Sequence, residues 1–147
     1  MLHAEPVTAP AIELIRPPDL TDRAPYAFAA VASDVSRLVF TAGACPLDAD
    51  GTVAPVGDVA GQARLVLANL TTALTAAGAT LRDVVKTTVY VATTDRTDLV
   101  AAWEVVAEAF GDHDVPSTLL GVSVLGYPGQ LVEVEAVAAL RSEGGVR

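Results

Sequence analysis

An α+β fold, a single mixed sheet of about six strands with two helices packed on one face, is what this sequence predicts, and three patterns predict it. Two stretches repeat apolar residues at three- and four-residue steps, the stripe of an amphipathic helix. Several short runs are rich in β-branched residues and bounded by Gly, Pro and Asp, as strands are. The run 131–140 alternates so that one of its faces is wholly apolar.

Taken in order, residues 1–10 mix Pro, Ala and Thr and read as a flexible tail. Residues 11–16 form a short strand stopped by Pro17 and Pro18, and residues 26–32 a second one. Asp34, Val35 and Ser36 read as a turn before the strand 37–42 (RLVFTA). Gly, Pro and Asp at close intervals make 43–57 a loop. Asp58 then caps a helix whose buried stripe is Val59, Ala63, Val66, Leu67, Leu70, Leu74 and Ala77, and Gly78 stops it.

Residues 84–91 (VVKTTVYV) are the next strand. Thr94 or Asp95 caps a second helix with the stripe Leu99, Trp103, Val106 and Phe110, ended by Gly111. A strand over 118–124, a turn over 126–129 and the last strand over 131–140 follow. Val132, Val134, Ala136, Ala138 and Leu140 make the apolar face of that strand; Leu131, Glu133, Glu135, Val137 and Ala139 make the other. Residues 142–147 read as a second flexible tail, and the whole of 1–147 as one domain. With both helices on one face, the opposite face still carries apolar groups such as Leu131 and Val137. It therefore needs cover from another copy of the chain.

The composition supports a packed globule. Apolar residues are 52% of the 147, and a chain of this length buries roughly 70% of its unfolded surface. The net charge of −9, from 9 basic and 18 acidic residues, lacks the Lys/Arg footprint that phosphate backbones need, so neither nucleic acid nor an anionic membrane is an expected partner. One cysteine makes no internal disulfide, and a reducing cytoplasmic setting fits. No apolar run reaches membrane-spanning length, and the N-terminus lacks the pattern of a secretory signal.

The chemistry inventory excludes several classes. Two histidines and one cysteine make no zinc site, and no phosphate-cradling glycine loop or GxSxG elbow occurs. His113, in a Gly-Asp-His-Asp stretch, reads as a solvated loop residue. Cys45 reads as a small buried filler, with a site-lining thiol as the alternative. Glu133 and Glu135 project the same way from an otherwise apolar strand. Either that face is partly solvated, or a basic group such as Lys86 pairs with one of them, or a carboxylate there serves a cleft and moves protons.

Ala24-Pro25-Tyr26, Val39-Phe40-Thr41-Ala42-Gly43, Gln62-Ala63-Arg64 with Asn69-Leu70, the run 83–91, Pro116-Ser117-Thr118 and the run 131–138 together resemble the YjgF/RidA family. The resemblance covers roughly residues 20–140. It implies a chorismate-mutase-like fold, a homotrimer with helices outside and sheets inside, and clefts between subunits. It also implies hydrolysis of reactive enamines and imines to keto compounds and ammonia, with no metal and no organic cofactor. Carried over by position, Glu133 aims the attacking water and Tyr26 is the site tyrosine. Gly43, Ala44, Cys45, Thr118 and Leu120 line the substrate pocket.

One position departs from the pattern. Deaminating members carry an arginine two residues after the proline, and its guanidinium forks onto the substrate carboxylate; here Thr118 stands there, and Leu120 stands where a cysteine is frequent. A hydroxyl does not replace a bidentate cation, so the expected substrate is a non-standard, uncharged carbonyl or imine metabolite. The alternatives are a secondary-metabolism enzyme acting on a cyclic or conjugated carbonyl compound, and a trimeric small-molecule-binding module without chemistry.

Overall fold

The computed structural model describes residues 11–141. The two expected flexible tails, 1–10 and 142–147, lie outside the described residues. Within them the chain runs β1 (Ile12–Ile15), β2 (Ala29–Ala32), β3 (Val35–Phe40), α1 (Val59–Ala76), a single 3-10 turn (Leu81–Asp83), β4 (Val84–Ala92), α2 (Arg96–Phe110), β5 (Ser117–Val122) and β6 (Val132–Arg141). These are the expected two helices and six strands of an α+β fold. Their ladders divide into a four-stranded mixed sheet, order β3-β6-β4-β5, and an antiparallel pair β1-β2.

Both helices begin where an aspartate accepts an orphan backbone N–H of the first turn. Asp58 accepts from Gly61 and Asp95 from Thr97. The helices stop at glycines in left-handed conformation, Gly78 (φ 86°) and Gly111 (φ 60°), which side chains with a Cβ avoid. Their apolar faces cover one face of the sheet. Val66, Leu70 and Leu74 from α1 and Val106 from α2 are buried against Val89, Val91, Val132 and Val134.

The alternation expected for the last strand holds through Ala138 and lapses after it, where Ala139 is buried and Leu140 only partly so. Val132, Val134, Ala136 and Ala138 are buried, while Glu133, Glu135 and Val137 face the other way. β4 antiparallel to β6 sets Tyr90 opposite Glu133 and Thr88 opposite Glu135. β5 parallel to β4 sets Thr118 opposite Thr88 and Leu120 opposite Tyr90. The face away from the helices therefore carries Lys86, Thr88, Tyr90, Thr118, Leu120, Glu133 and Glu135. Its apolar members are bare: Phe40 is 70% exposed, Leu38 54% and Leu120 43%.

Three local expectations fail for physical reasons. The stretch 34–36 is not all turn: only Asp34 takes a positive φ, 56°, and β3 already starts at Val35 because it pairs with Arg141. The strand expected from residue 26 begins at Ala29, where pairing with β1 begins; Tyr26 is drawn instead into aromatic contacts. His113 is not solvated. It is 7% exposed, its Nε2 lies 2.8 Å from the Val84 carbonyl, and its ring stacks on Phe110.

β4 carries one extra residue. Val84 pairs with Ala138 and Lys86 with the adjacent Val137, leaving Val85 as a bulge. Val84 and Thr87 consequently both turn to the core side, and Lys86 to the open face.

Candidate active site

The loop after β3 bends back onto β6, with Ala44 bridging Val134 through two backbone hydrogen bonds of 2.7 and 3.2 Å. This lays Gly43 beneath the side chain of Glu133. A Cβ added to Gly43 would stand 2.7 Å from Glu133 Cγ and nearer still to the carboxylate, so only glycine permits the approach.

Glu133 Oε1 is held by two donors. Gln130 Nε2 donates at 3.1 Å and the Cys45 thiol at 3.4 Å. Among the described residues Oε2 has no hydrogen-bond partner, and no cation lies within ion-pair distance of either oxygen. The side chain is half-buried. Glu133 thus has a fixed direction and one oxygen left to accept a proton.

Cys45 is half-buried rather than a sealed core filler. Its thiol pKa is pushed up to about 11, first by desolvation and then by the hydrogen bond and charge of Glu133. At neutral pH it is a neutral donor to the carboxylate and not a thiolate nucleophile.

Two glutamines that the sequence reading did not select make this corner rigid. Gln130 also donates to the Val132 carbonyl and accepts from Tyr127 N–H. Gln62, fully buried on α1, donates to Pro55 and Gly129 carbonyls and accepts from Leu131 N–H. It stands three residues after Val59 and four before Val66, in phase with the apolar stripe. A polar group at that phase was the available signal. Asn69 similarly donates to the Cys45 and Leu47 carbonyls.

Tyr26 and Thr118 belong to a different neighbourhood. Tyr26 packs edge-on against Phe28 and Trp103, with ring centroids 5.8 and 6.3 Å apart. A hollow of about 400 Å³ at the β5 edge is lined by Pro25, Tyr26, Trp103, Ser117, Thr118 and Leu119. Neither Glu133 nor Gly43 reaches it. Glu133 with Gly43, Ala44 and Cys45 lies toward the β3 side of the sheet, Thr118 and Leu120 lie on β5, and β4 runs between. Within one subunit the candidate residues therefore fall into two separate groups.

Between them Glu135 Oε1 accepts from Tyr90 Oη at 2.7 Å, a bond whose acceptor raises the tyrosine pKa. A second hollow, about 260 Å³, is lined by Phe40, Thr41, Lys86, Thr88, Glu135, Ala136 and Val137. Lys86 pairs with neither glutamate; its Nζ donates to Thr118 Oγ1 at 2.7 Å. Among the described residues no group of three or more His, Cys, Asp or Glu could hold a metal ion, and no helix is long and apolar enough to cross a membrane.

Comparison with known proteins agrees with this architecture. Residues 19–140 match the family model described as endoribonuclease L-PSP. A RutC family protein of Pyrococcus horikoshii is 38% identical over 102 residues, 69% of this chain and 79% of that one. The protein named 3-aminoacrylate deaminase RutC of Acinetobacter baylyi is 34% identical over 122 residues, 83% of this chain and 90% of that one. Among solved structures, the Rid protein YyfB of Yersinia pestis superposes with a TM-score of 0.80 at 30% identity, covering 88% of this chain and 99% of that one.

Proposed function

Since the chain belongs to the endoribonuclease L-PSP family, the YjgF/RidA proteins, we propose that it is a RidA-like hydrolase. It deaminates a small imine or enamine metabolite in a cleft between the subunits of a homotrimer. The observation that carries this reading is the Glu133 carboxylate, with Oε1 fixed by Gln130 and Cys45 and Oε2 unpartnered.

A water hydrogen-bonded to Oε2 attacks the imine carbon. The new C–O bond forms as the C=N π pair moves to nitrogen, and Glu133 takes the water's proton. Glu133 returns that proton to nitrogen, giving the neutral carbinolamine, and then carries the hydroxyl proton to the same nitrogen, so that the C–N bond breaks and ammonia leaves as the carbonyl forms. Atoms balance as imine plus water giving ketone plus ammonia. An enamine first takes a proton on carbon to become the imine. The peptide N–H groups that are not used in ladders near Gly43 are suited to the charge that develops.

The two half-sites and the bare apolar face support the trimer. A cyclic head-to-tail assembly sets one edge of each sheet against the opposite edge of the next. It covers Leu38, Phe40 and Leu120, and brings the Tyr26–Thr118 hollow of one copy towards the Glu133 corner of another. The test is a panel of enzymatically generated imines, followed for ketone and ammonia release with Glu133→Gln alongside. Release from no imine above the uncatalysed rate would leave a binding module.

A further inference from the structure

The position that lacks the expected arginine is not without a cation. Lys86, on β4, reaches across to β5, and its Nζ stands 2.7 Å from Thr118 Oγ1. The bulge at Val85 turns this lysine to the open face instead of the core. The ion pairs among the described residues are Arg16–Asp114, Arg82–Asp112 and Arg141–Asp34. None involves Lys86, even though acidic residues outnumber basic ones 18 to 9 in the sequence. Glu135 lines the same 260 Å³ hollow, but its Oε1 accepts from Tyr90 instead. Thr118 lines the 400 Å³ hollow, so the hydrogen bond links a residue of one hollow to a residue of the other.

We propose that Lys86 and Thr118 together form a two-point donor site for the carboxylate of a small organic acid. The inference rests on reading this face as the reaction cleft, and it makes the substrate an anion rather than an uncharged carbonyl compound. An ammonium has three donors. Thr118 accepts one, which directs the head group and leaves two N–H bonds for a ligand. Accepting from Lys86 also frees the threonine O–H to donate outward. The ammonium and hydroxyl are then adjacent donors, one for each oxygen of a carboxylate, in place of a guanidinium fork. Because the lysine is already held, less side-chain freedom is lost on binding.

The same geometry says which Glu133 serves the site. The Lys86 head group stands at Thr118, on β5 opposite Thr88, whereas Glu133 lies on β6 opposite Tyr90, two strand spacings or roughly 10 Å across the sheet. A three- or four-carbon acid held at Lys86 does not span that gap. The glutamate that meets it belongs to a neighbouring copy.

Binding separates this inference from the catalytic one. Pyruvate and its uncharged counterpart pyruvamide are titrated into the 15N-labelled full chain at low salt, with the Lys86 and Thr118 amides as reporters. Saturable pyruvate binding is expected, at least tenfold weaker in Lys86→Met and several-fold weaker in Thr118→Val. Pyruvamide affinity is expected to be the same in all three proteins. Equal pyruvate affinity in the wild type and Lys86→Met, or no saturable binding to the wild type, overturns the site. Should Lys86→Met lose the native spectrum, Thr118→Val decides alone, and unchanged pyruvate affinity there is the overturning result. Loss of imine turnover in Glu133→Gln with pyruvate binding intact would leave this site standing whatever the chemistry.

Discussion

The carboxylate of Glu133 lies against the α-carbon of Gly43, with no room between them for a methyl group. The closeness fixes the glutamate from below while Gln130 and Cys45 fix it from the side. Gly43→Ala is therefore expected to push the carboxylate away without unfolding the chain, since Gly43 does not need a positive φ. A displacement of about 1 Å at a reacting group costs about 100-fold in rate. Steady-state turnover together with an unchanged far-UV spectrum checks this; full activity in the alanine variant would mean that the carboxylate moves freely and that its position does not matter.

Glu133→Gln keeps the shape and the Gln130 contact but takes no proton from water. Turnover is expected to fall roughly 100- to 10,000-fold with the oligomeric state unchanged. Glu135→Gln, whose amide oxygen still accepts from Tyr90, is expected to stay within about threefold of the wild type, since the hydrogen bond is kept and only its charge is lost. Equal rates in both variants would assign Glu133 a structural role.

The Cys45 thiol gives a pH readout of the same corner. Its pKa is raised to about 11, so alkylation by iodoacetamide is slow at pH 8 and climbs only as the pH approaches that value. The folded protein holds this proton more tightly than the unfolded chain. The contribution to stability is therefore present below the ordinary thiol value and fades as pH rises through the folded one. Glu133→Gln removes the neighbouring charge and should shift the alkylation profile to lower pH. An unshifted profile would place the thiol away from the carboxylate.

Gln62 ties α1 to the loops on both sides of the site. Gln62→Leu leaves the Pro55 and Gly129 carbonyls and the Leu131 N–H without their partner, which costs roughly 2–4 kcal/mol in all. Urea denaturation of the two proteins measures it, and a loss below the error of the method would show that water replaces the amide.

The proposed division into half-sites has its own signature. Sedimentation equilibrium is expected to give three times the chain mass, and Phe40→Glu, placing a charge on the bare face, to give the single chain mass. Glu133→Gln and Tyr26→Phe copies, unfolded together and refolded as an equal mixture, should recover about one quarter of wild-type activity, the share of interfaces in a cyclic trimer with both halves intact. No recovery in mixed trimers would put both residues in one subunit's site.

Most of the architecture was readable because it is written in local periods. Asp58 and Gly78 bracket α1, Asp95 and Gly111 bracket α2, and the alternation of residues 132–138 sorts the buried side of β6 from Glu133 and Glu135. What escaped depends on pairing between distant segments. Val35 joins a strand only because Arg141 lies opposite, and His113 is buried only because Val84 presents a carbonyl. That Lys86 meets Thr118, and not a glutamate, follows from the parallel register of β4 on β5, which no stretch of ten residues encodes. From the sequence alone, Lys86 pairs most simply with one of the glutamates.

The extra residue at Val85 resets the phase of β4 partway along its length. Upstream of it the strand answers to the core, which claims Val84; downstream, every second side chain answers to the open face. A strand that kept strict alternation would couple the two, and any change that improved packing at one end would reassign the other. With the bulge between them, the open-face row Lys86, Thr88 and Tyr90 can vary in charge and size while the same hydrophobic framework is retained. One scaffold can in this way be retuned from one ligand to another by substitution alone, with no shift of the sheet.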